Sequence, residues 1–242
     1  MAEQKQRLPA ARPNVRRARA RLRLAGARRR AFQQNLLAWY ARNGRDLPWR
    51  RTRDPYRILV SEIMLQQTQV ERVRVYYRRF LTRFPNIKTL AAAHPDEVRE
   101  AWDGLGYYAR SRNLHRAART VLECHGGAIP RAREDIRALP GVGAYTVGAL
   151  RSFAFGEPDP ILDTNAARVL QRFFGVRGDR RRGRVGRRLW ALAAAVTPRD
   201  RAYDFNQGIM DLGATVCTSR APRCPRCPLR RSCASAGRTV RS

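Results

Sequence analysis

The chain has 242 residues, with 50 Lys+Arg against 19 Asp+Glu, a formal charge of +31 and a sequence pI near 11.7. That length allows one large domain or two modest lobes around a real core, and 43% hydrophobic residues with four Trp, eight Tyr and eight Phe exclude a chain that stays unfolded for lack of apolar surface. No apolar run approaches a membrane span, and the excess of arginine repels itself unless a polyanion screens it, so nucleic acid is the leading partner. Lysine is scarce beside arginine, so coding bias contributes to the charge as well.

Residues 1–28 are read as a basic, flexible N-terminal arm, rich in Arg and Ala and with Glu3 as their one acid; they suit phosphate better than an organelle leader. A helix is predicted over about 29–43, where Phe32, Leu36, Leu37 and Tyr40 make an apolar stripe. Asp46-Leu47-Pro48-Trp49-Arg50 is extended, because Pro48 pushes Leu47 out of the helical region. From Pro55 a long helical pattern runs to Phe84 with a break near Thr68. Glu62 lies within the apolar run Ile58-Leu59-Val60 and Ile63-Met64-Leu65. It is read either as part of a polar stripe with Gln66 and Gln69, or as a buried carboxyl whose raised pKa lets it donate a proton.

Short helices follow Phe84-Pro85-Asn86, around 90–93 and from Pro95 to Trp102. Gly104-Leu105-Gly106-Tyr107-Tyr108 is a glycine turn with paired aromatics, ahead of a helix bearing Arg110, Arg112, Arg116 and Arg119; exposed aromatics beside such a helix suit insertion into a base stack. Residues 132–139 form a short helix. Leu139-Pro140-Gly141-Val142-Gly143 is then a glycine-bracketed turn that leads into another helix. Its bare amides could hold an anion, although such turns also connect helices with no ligand. After Gly156-Glu157-Pro158-Asp159-Pro160, Asp163 or Thr164 caps a helix over 166–174. Residues 177–188 read as a glycine-spaced basic loop, and 190–196 and 202–214 as the last helices. No internal repeat is visible.

Cys217, Cys224, Cys227 and Cys233 have the spacing C-x6-C-x2-C-x5-C, and Cys124 stands apart. Without a secretion signal, four clustered thiols read as a metal site rather than disulfides. The spacing by itself admits zinc or an iron–sulfur cluster.

LPWR (47–50), SEIMLQQTQV (61–70), GLGYYARSRNLHRAA (104–118), LPGVGAYTVGAL (139–150), FNQGIMDLGATVC (205–217) and the cysteine spacing together resemble the helix-hairpin-helix DNA glycosylases that carry a 4Fe-4S cluster, and within them the MutY-type adenine glycosylases. The resemblance runs from about Phe32 to Cys233. It implies an all-α, two-lobed helix-hairpin-helix fold: a six-helix barrel lobe over 53–160, an iron–sulfur cluster lobe from 29–52 plus 161–236, and a tail at 237–242. It implies that Cys217, Cys224, Cys227 and Cys233 hold the cluster.

It also implies a division of labour. Leu139, Gly141, Val142 and Gly143 would hold a DNA phosphate through their amides. Tyr107 would wedge into the stack and Gln67 would fill beside the lesion as the base flips out. Glu62 would protonate adenine N7 and Asp163 would stabilise the oxocarbenium-like sugar, with Tyr145 and Asn165 in support. Trp49, Arg50, Leu65, Gln207 and Met210 would line the base pocket. The lyase branch of the family has a lysine where this chain has Tyr145, and a phenol cannot form a Schiff base. A monofunctional enzyme is therefore expected, acting as a monomer on duplex DNA that contains a mismatched or oxidised base. Its place would be the bacterial cytoplasm at the nucleoid, or the nucleus or an organelle of another cell, with no membrane role.

Two departures bear on the substrate. Thr164 stands where MutY-type enzymes usually have glycine. The sequence also ends nine residues after Cys233, where those enzymes continue into a domain that reads 8-oxoguanine. The QQTQV and FNQ segments favour adenine, while the length resembles the short thymine/uracil mismatch glycosylases that act on T:G and U:G. A non-catalytic iron–sulfur DNA-binding protein is the third reading, which the presence of both Glu62 and Asp163 disfavours.

Overall fold

The computed structural model describes residues 15–180 and 182–236; residues 1–14 of the predicted arm, residue 181 of the basic 177–188 segment and the 237–242 tail lie outside the described residues, while 15–28 of the arm are helical. Eleven helices account for the regular structure, and no strand occurs among the described residues. The chain is all-α.

Helix α1 covers Val15–Asn43. It begins 14 residues ahead of the predicted start at Arg29, because the Arg/Ala-rich stretch has high helix propensity but no apolar stripe to reveal it. A 3₁₀ turn at Pro48–Arg50 follows. Helix α2, Pro55–Leu65, is capped by Asp54, whose carboxylate accepts from the Tyr56 amide at 2.8 Å and the Arg57 amide at 3.3 Å. It ends at Leu65, so Gln66 and Gln69 are not on its face. The polar-stripe reading of Glu62 fails for that reason.

Helices α3 (Val70–Arg83), α6 (Ala109–His125) and α8 (Ala144–Phe153) pack on α2, while α4 (Ile87–Ala92) and α5 (Pro95–Ala101) pack on α6 and α7 (Arg133–Ala138) packs on α8. Asn86 and His94 cap α4 and α5, and Gly126, at φ 60°, closes α6 with a left-handed residue. Trp102, Phe80, Ile63, Leu90, Leu114 and Ile136 are the fully buried centre of this group.

Helix α9 (Thr164–Phe174) packs on α10 (Gly183–Val196) and α11 (Ala202–Thr215), and α11 packs along α1. Helix α10 starts at Gly183, so half of the predicted basic loop is helical. Phe32, Phe173 and Phe205 meet here, with ring centroids 4.7 Å and 5.6 Å from Phe32. The two groups touch where α8 meets α11 and where the 3₁₀ turn meets α2. Gly148 permits close approach of the chain after α8: a Cβ there would stand 2.3 Å from the Pro160 carbonyl oxygen.

Candidate active site

A cavity of about 650 Å³ opens between the two groups of helices. Glu62, Tyr145, Asp163 and Asn165 all face it, as do Trp49, Arg50, Leu65, Gln207, Met210 and Gln67. Residues 62, 145 and 163, distant in the chain, therefore converge on one space with room for a purine.

The apolar run of α2 carries Glu62 into the interior, where it is 4% exposed. Its Oε2 is buried with no hydrogen-bond partner. Burial pushes its pKa from 4.5 up to about 7; Tyr145 and Arg50 pull it down, and Asp163 pushes it up further. The Tyr145 hydroxyl points at Met210 Sδ, 3.3 Å away, yet its donation to Glu62 is what most opposes the rise. One proton cannot serve both acceptors at once. A carboxylate is much the stronger acceptor, so the ionised form of Glu62 would draw it from the thioether. Burial, then the nearby carboxyls of Glu62 and Asp163, raise the Tyr145 phenol well above its ordinary value. It remains a donor throughout the physiological range.

Asp163 is the cap of α9. Its Oδ1 accepts from the Ala166 amide at 2.7 Å and its Oδ2 from Asn165 Nδ2 at 2.9 Å. Helix and neighbour thus fix the carboxyl, and the helix N-terminus favours negative charge there. Asn165 Oδ1 accepts in turn from Arg168 at 2.8 Å, and Arg168 also donates to the carbonyls of Cys217 and Gly213 at 2.8 and 2.7 Å. Gly213 lets α11 lie against Asn165, where a Cβ would come within 2.6 Å.

The floor is set by ions. Arg50 forms a bidentate pair with the fully buried Asp211, at 2.7 and 2.8 Å, and Arg45 adds a third contact at 2.7 Å. Trp49, 6% exposed, stands edge-on to Tyr77 and also borders the cavity, so it is both core and lining. Arg45, Leu47, Gln66, Thr68, Gln69, Val70 and Thr164 border the cavity too and were not foreseen. Arg45 and Leu47 flank the LPWR segment closely enough to have been suspected. Thr164 is exposed at the rim beside Asp163.

The remaining predicted residues lie outside this cavity, on two turns. Tyr107 is 60% exposed and sits at φ 49°. In the turn between α7 and α8, Leu139 and Val142 are buried, so only backbone can meet a ligand. The Val142 amide already donates to the Leu139 carbonyl at 3.1 Å. That closes the turn, and the Leu139 amide donates to the Ile136 carbonyl at 3.2 Å, so both Leu139 and Val142 leave the expected set of free donors. Gly141 and Gly143 keep theirs free among the described residues. Gly141 must be glycine: it sits at φ 78°, and a Cβ would stand 2.8 Å from Asn113 Cβ.

Cys217, Cys224, Cys227 and Cys233 ring one small cavity with Arg172 and Arg230. All are free and part-buried. Burial pushes the Cys227 thiol up to about 11, and the other three sulfurs add to the rise. No group of three or more His, Cys, Asp or Glu side chains is set to hold a metal ion among the described residues. A zinc ion needs every sulfur about 2.3 Å from one centre, whereas an iron–sulfur cluster takes each thiolate to its own iron. Four thiols about one small cavity are a donor set that either group could take. Cys124 is exposed elsewhere on α6.

Comparison with known proteins agrees with the fold. Residues 60–195 match the HhH-GPD superfamily of base excision DNA repair proteins. The adenine DNA glycosylase of Rattus norvegicus is 45% identical over 212 residues, which are 84% of this chain and 41% of the relative. The thymine-DNA glycosylase of Aeropyrum pernix is 40% identical over 207 residues, 84% of this chain and 93% of the relative. The solved structure of a thermostable thymine-DNA glycosylase superposes with a TM-score of 0.79 at 33% identity, over 87% of this chain and 97% of that one. The chain spans less than half the length of the rat relative. It belongs to the HhH-GPD superfamily and has that superfamily's two-lobed helix-hairpin-helix glycosylase fold.

Proposed function

We propose that this chain is a monofunctional DNA glycosylase that hydrolyses the N-glycosidic bond of adenine mispaired with 8-oxoguanine or guanine in duplex DNA. One observation carries the reading: Glu62, a buried carboxyl poised to hold a proton near neutral pH, faces the same cavity as Asp163. Adenine leaves poorly as an anion. A proton from Glu62 on N7 lets it leave neutral as the bond to C1′ breaks and its electrons return to the base. The positive charge that develops on the sugar faces Asp163, fixed by Ala166 and Asn165. Water then adds to C1′, its spare proton returning to the Glu62 carboxylate, and yields an abasic site.

The base must leave the stack to enter the cavity. Tyr107 and Gln67 are the side chains offered for that step, and the amides of Gly141 and Gly143 suit a phosphate. The helices of 29–52 with 161–236 and those of 53–160 would close on the extruded nucleotide from two sides. The arginine excess supplies non-specific affinity. Tyr145 supports hydrolysis without strand cleavage, since it offers no amine for a Schiff base.

Cys217, Cys224, Cys227 and Cys233 would hold a 4Fe-4S cluster. Its contribution is to staple the loop beside α9, and Arg168 and Arg172 tie that loop to the helix bearing Asn165. Brown protein with visible charge-transfer absorption is expected, and colourless protein containing zinc would refute the assignment.

A second reading rests on the Aeropyrum pernix relative, which this chain covers almost end to end: removal of thymine or uracil opposite guanine. A protonated Glu62 matters less there, because a pyrimidine has no N7 to accept its proton. Duplexes containing A:8-oxoG, A:G, T:G and U:G, treated with alkali after incubation, separate the readings. Release of adenine alone is expected; release of thymine or uracil supports the second reading, and binding without release would reduce the protein to a non-catalytic binder. Borohydride should trap no covalent complex.

A further inference from the structure

Only two non-glycine residues have positive φ among the described residues, Gln67 at 56° and Tyr107 at 49°. They lie in different loops, one after α2 and one before α6. Neither is β-branched, but both occupy a left-handed conformation that L-residues avoid unless their surroundings impose it.

One side chain lies between the two loops. Arg110, on the first turn of α6, is 8% exposed. Its NH1 donates to the carbonyls of Ile63 at 3.2 Å, Met64 at 2.8 Å and Gln66, all at the C-terminal end of α2. Its NH2 donates to Leu105 at 3.3 Å and Gly106 at 3.0 Å. Gln66 immediately precedes Gln67, and Gly106 immediately precedes Tyr107. The guanidinium also stands 5.4 Å from the centre of the Tyr107 ring and 5.5 Å from that of Trp102. No carboxylate pairs with it among the described residues; the helix-end and loop carbonyls take its NH1 and NH2 donors, and its buried Nε has no hydrogen-bond partner.

We infer that Arg110 is a positioning residue that sets the Gln67 and Tyr107 loops at one fixed separation, so that the two probes enter a duplex as a single rigid unit. The inference rests on the proposed function for the use of those probes, but the pinning belongs to the free protein. A planar guanidinium fork can span two loops. A lysine ammonium, with one nitrogen, can reach one loop at a time.

Two measurements on the full chain decide it, each with Arg110→Lys and Arg110→Met. The first is amide hydrogen exchange in free protein. Exchange should quicken together in 65–68 and 104–108, with the 139–143 turn unchanged. Quickening in one loop only, in neither, or everywhere alike would overturn the pinning. The second is single-turnover excision of adenine from A:G duplex and from a duplex in which adenine faces an abasic gap and needs no unpairing. The lysine variant should lose on the order of 10²-fold on A:G and much less on the unpaired adenine. Equal loss on both, or none on A:G, would overturn the role in extrusion. If wild type releases no adenine from either duplex, the proposed function fails, and hydrogen exchange still decides the pinning.

Discussion

Replacing Glu62 by Gln removes one titrating group from the interior and leaves its shape. In the folded protein Glu62 titrates near 7, against 4.5 for an ordinary glutamate, chiefly because it is buried. A carboxyl whose folded pKa is raised binds its proton more tightly in the native than in the unfolded state. Its contribution is therefore fully present below pH 4.5, declines between 4.5 and 7, and is gone above 7. At about 1.36 kcal/mol per pKa unit, the total is roughly 3 kcal/mol. Urea denaturation of wild type and Glu62→Gln across that range isolates the effect, because every other group titrates in both proteins. The difference should move in favour of the Gln variant by about 1.4 kcal/mol per pH unit through the window, then level off. Excision should be abolished in the variant at every pH. In wild type, kcat/KM should fall about tenfold per pH unit above 7, as the general acid loses its proton. A stability difference independent of pH, or excision that rises above pH 7, would refute the burial argument and the assignment of Glu62 as acid.

Asp163→Asn should abolish excision yet change stability by less than about 1 kcal/mol, since asparagine caps a helix as well as aspartate; DNA affinity by fluorescence anisotropy should hold, and excision at the wild-type rate would remove Asp163 from the reaction. Gly141→Ala should cost roughly 1–2 kcal/mol from its left-handed backbone alone, with more from the contact at Asn113, and should weaken DNA binding; an unchanged melting temperature would mean the turn relaxes freely. Asp211→Ala leaves the buried Arg50 unpaired and should cost about 3–5 kcal/mol in urea; a loss below about 1 kcal/mol would show that water reaches the Arg50 guanidinium.

The parts legible in the sequence were those fixed by neighbouring residues. Asp163 reads as a cap because a helical pattern starts beside it, the glycines of 139–143 announce a turn, and four cysteines within one short segment do border one cavity. Glu62 was half legible: the apolar run suggested burial, but the end of α2 at Leu65, which removed Gln66 and Gln69 from its face, was not visible. Nor was the hydrogen bond that closes the 139–143 turn and occupies the Val142 amide. Contacts across the chain were hidden. Arg110 looked like one of several arginines on a basic helix, and Asp211 like a polar residue on the last helix. Their roles come from carbonyls and guanidiniums 40 to 170 residues away, which no local pattern encodes. The onset of α1 at Val15 was missed because propensity without an apolar stripe leaves little pattern to read.

The most direct measurement is a crystal structure of the protein on duplex DNA in which the adenosine opposite guanine carries a bond that resists hydrolysis. Extrusion of that adenosine into the cavity, with Glu62 within about 3 Å of N7 and the Asp163 carboxylate against the face of the sugar at C1′, is the predicted result. Adenine still stacked in the helix, or a bound nucleotide that reaches only one of the two carboxyls, would contradict it.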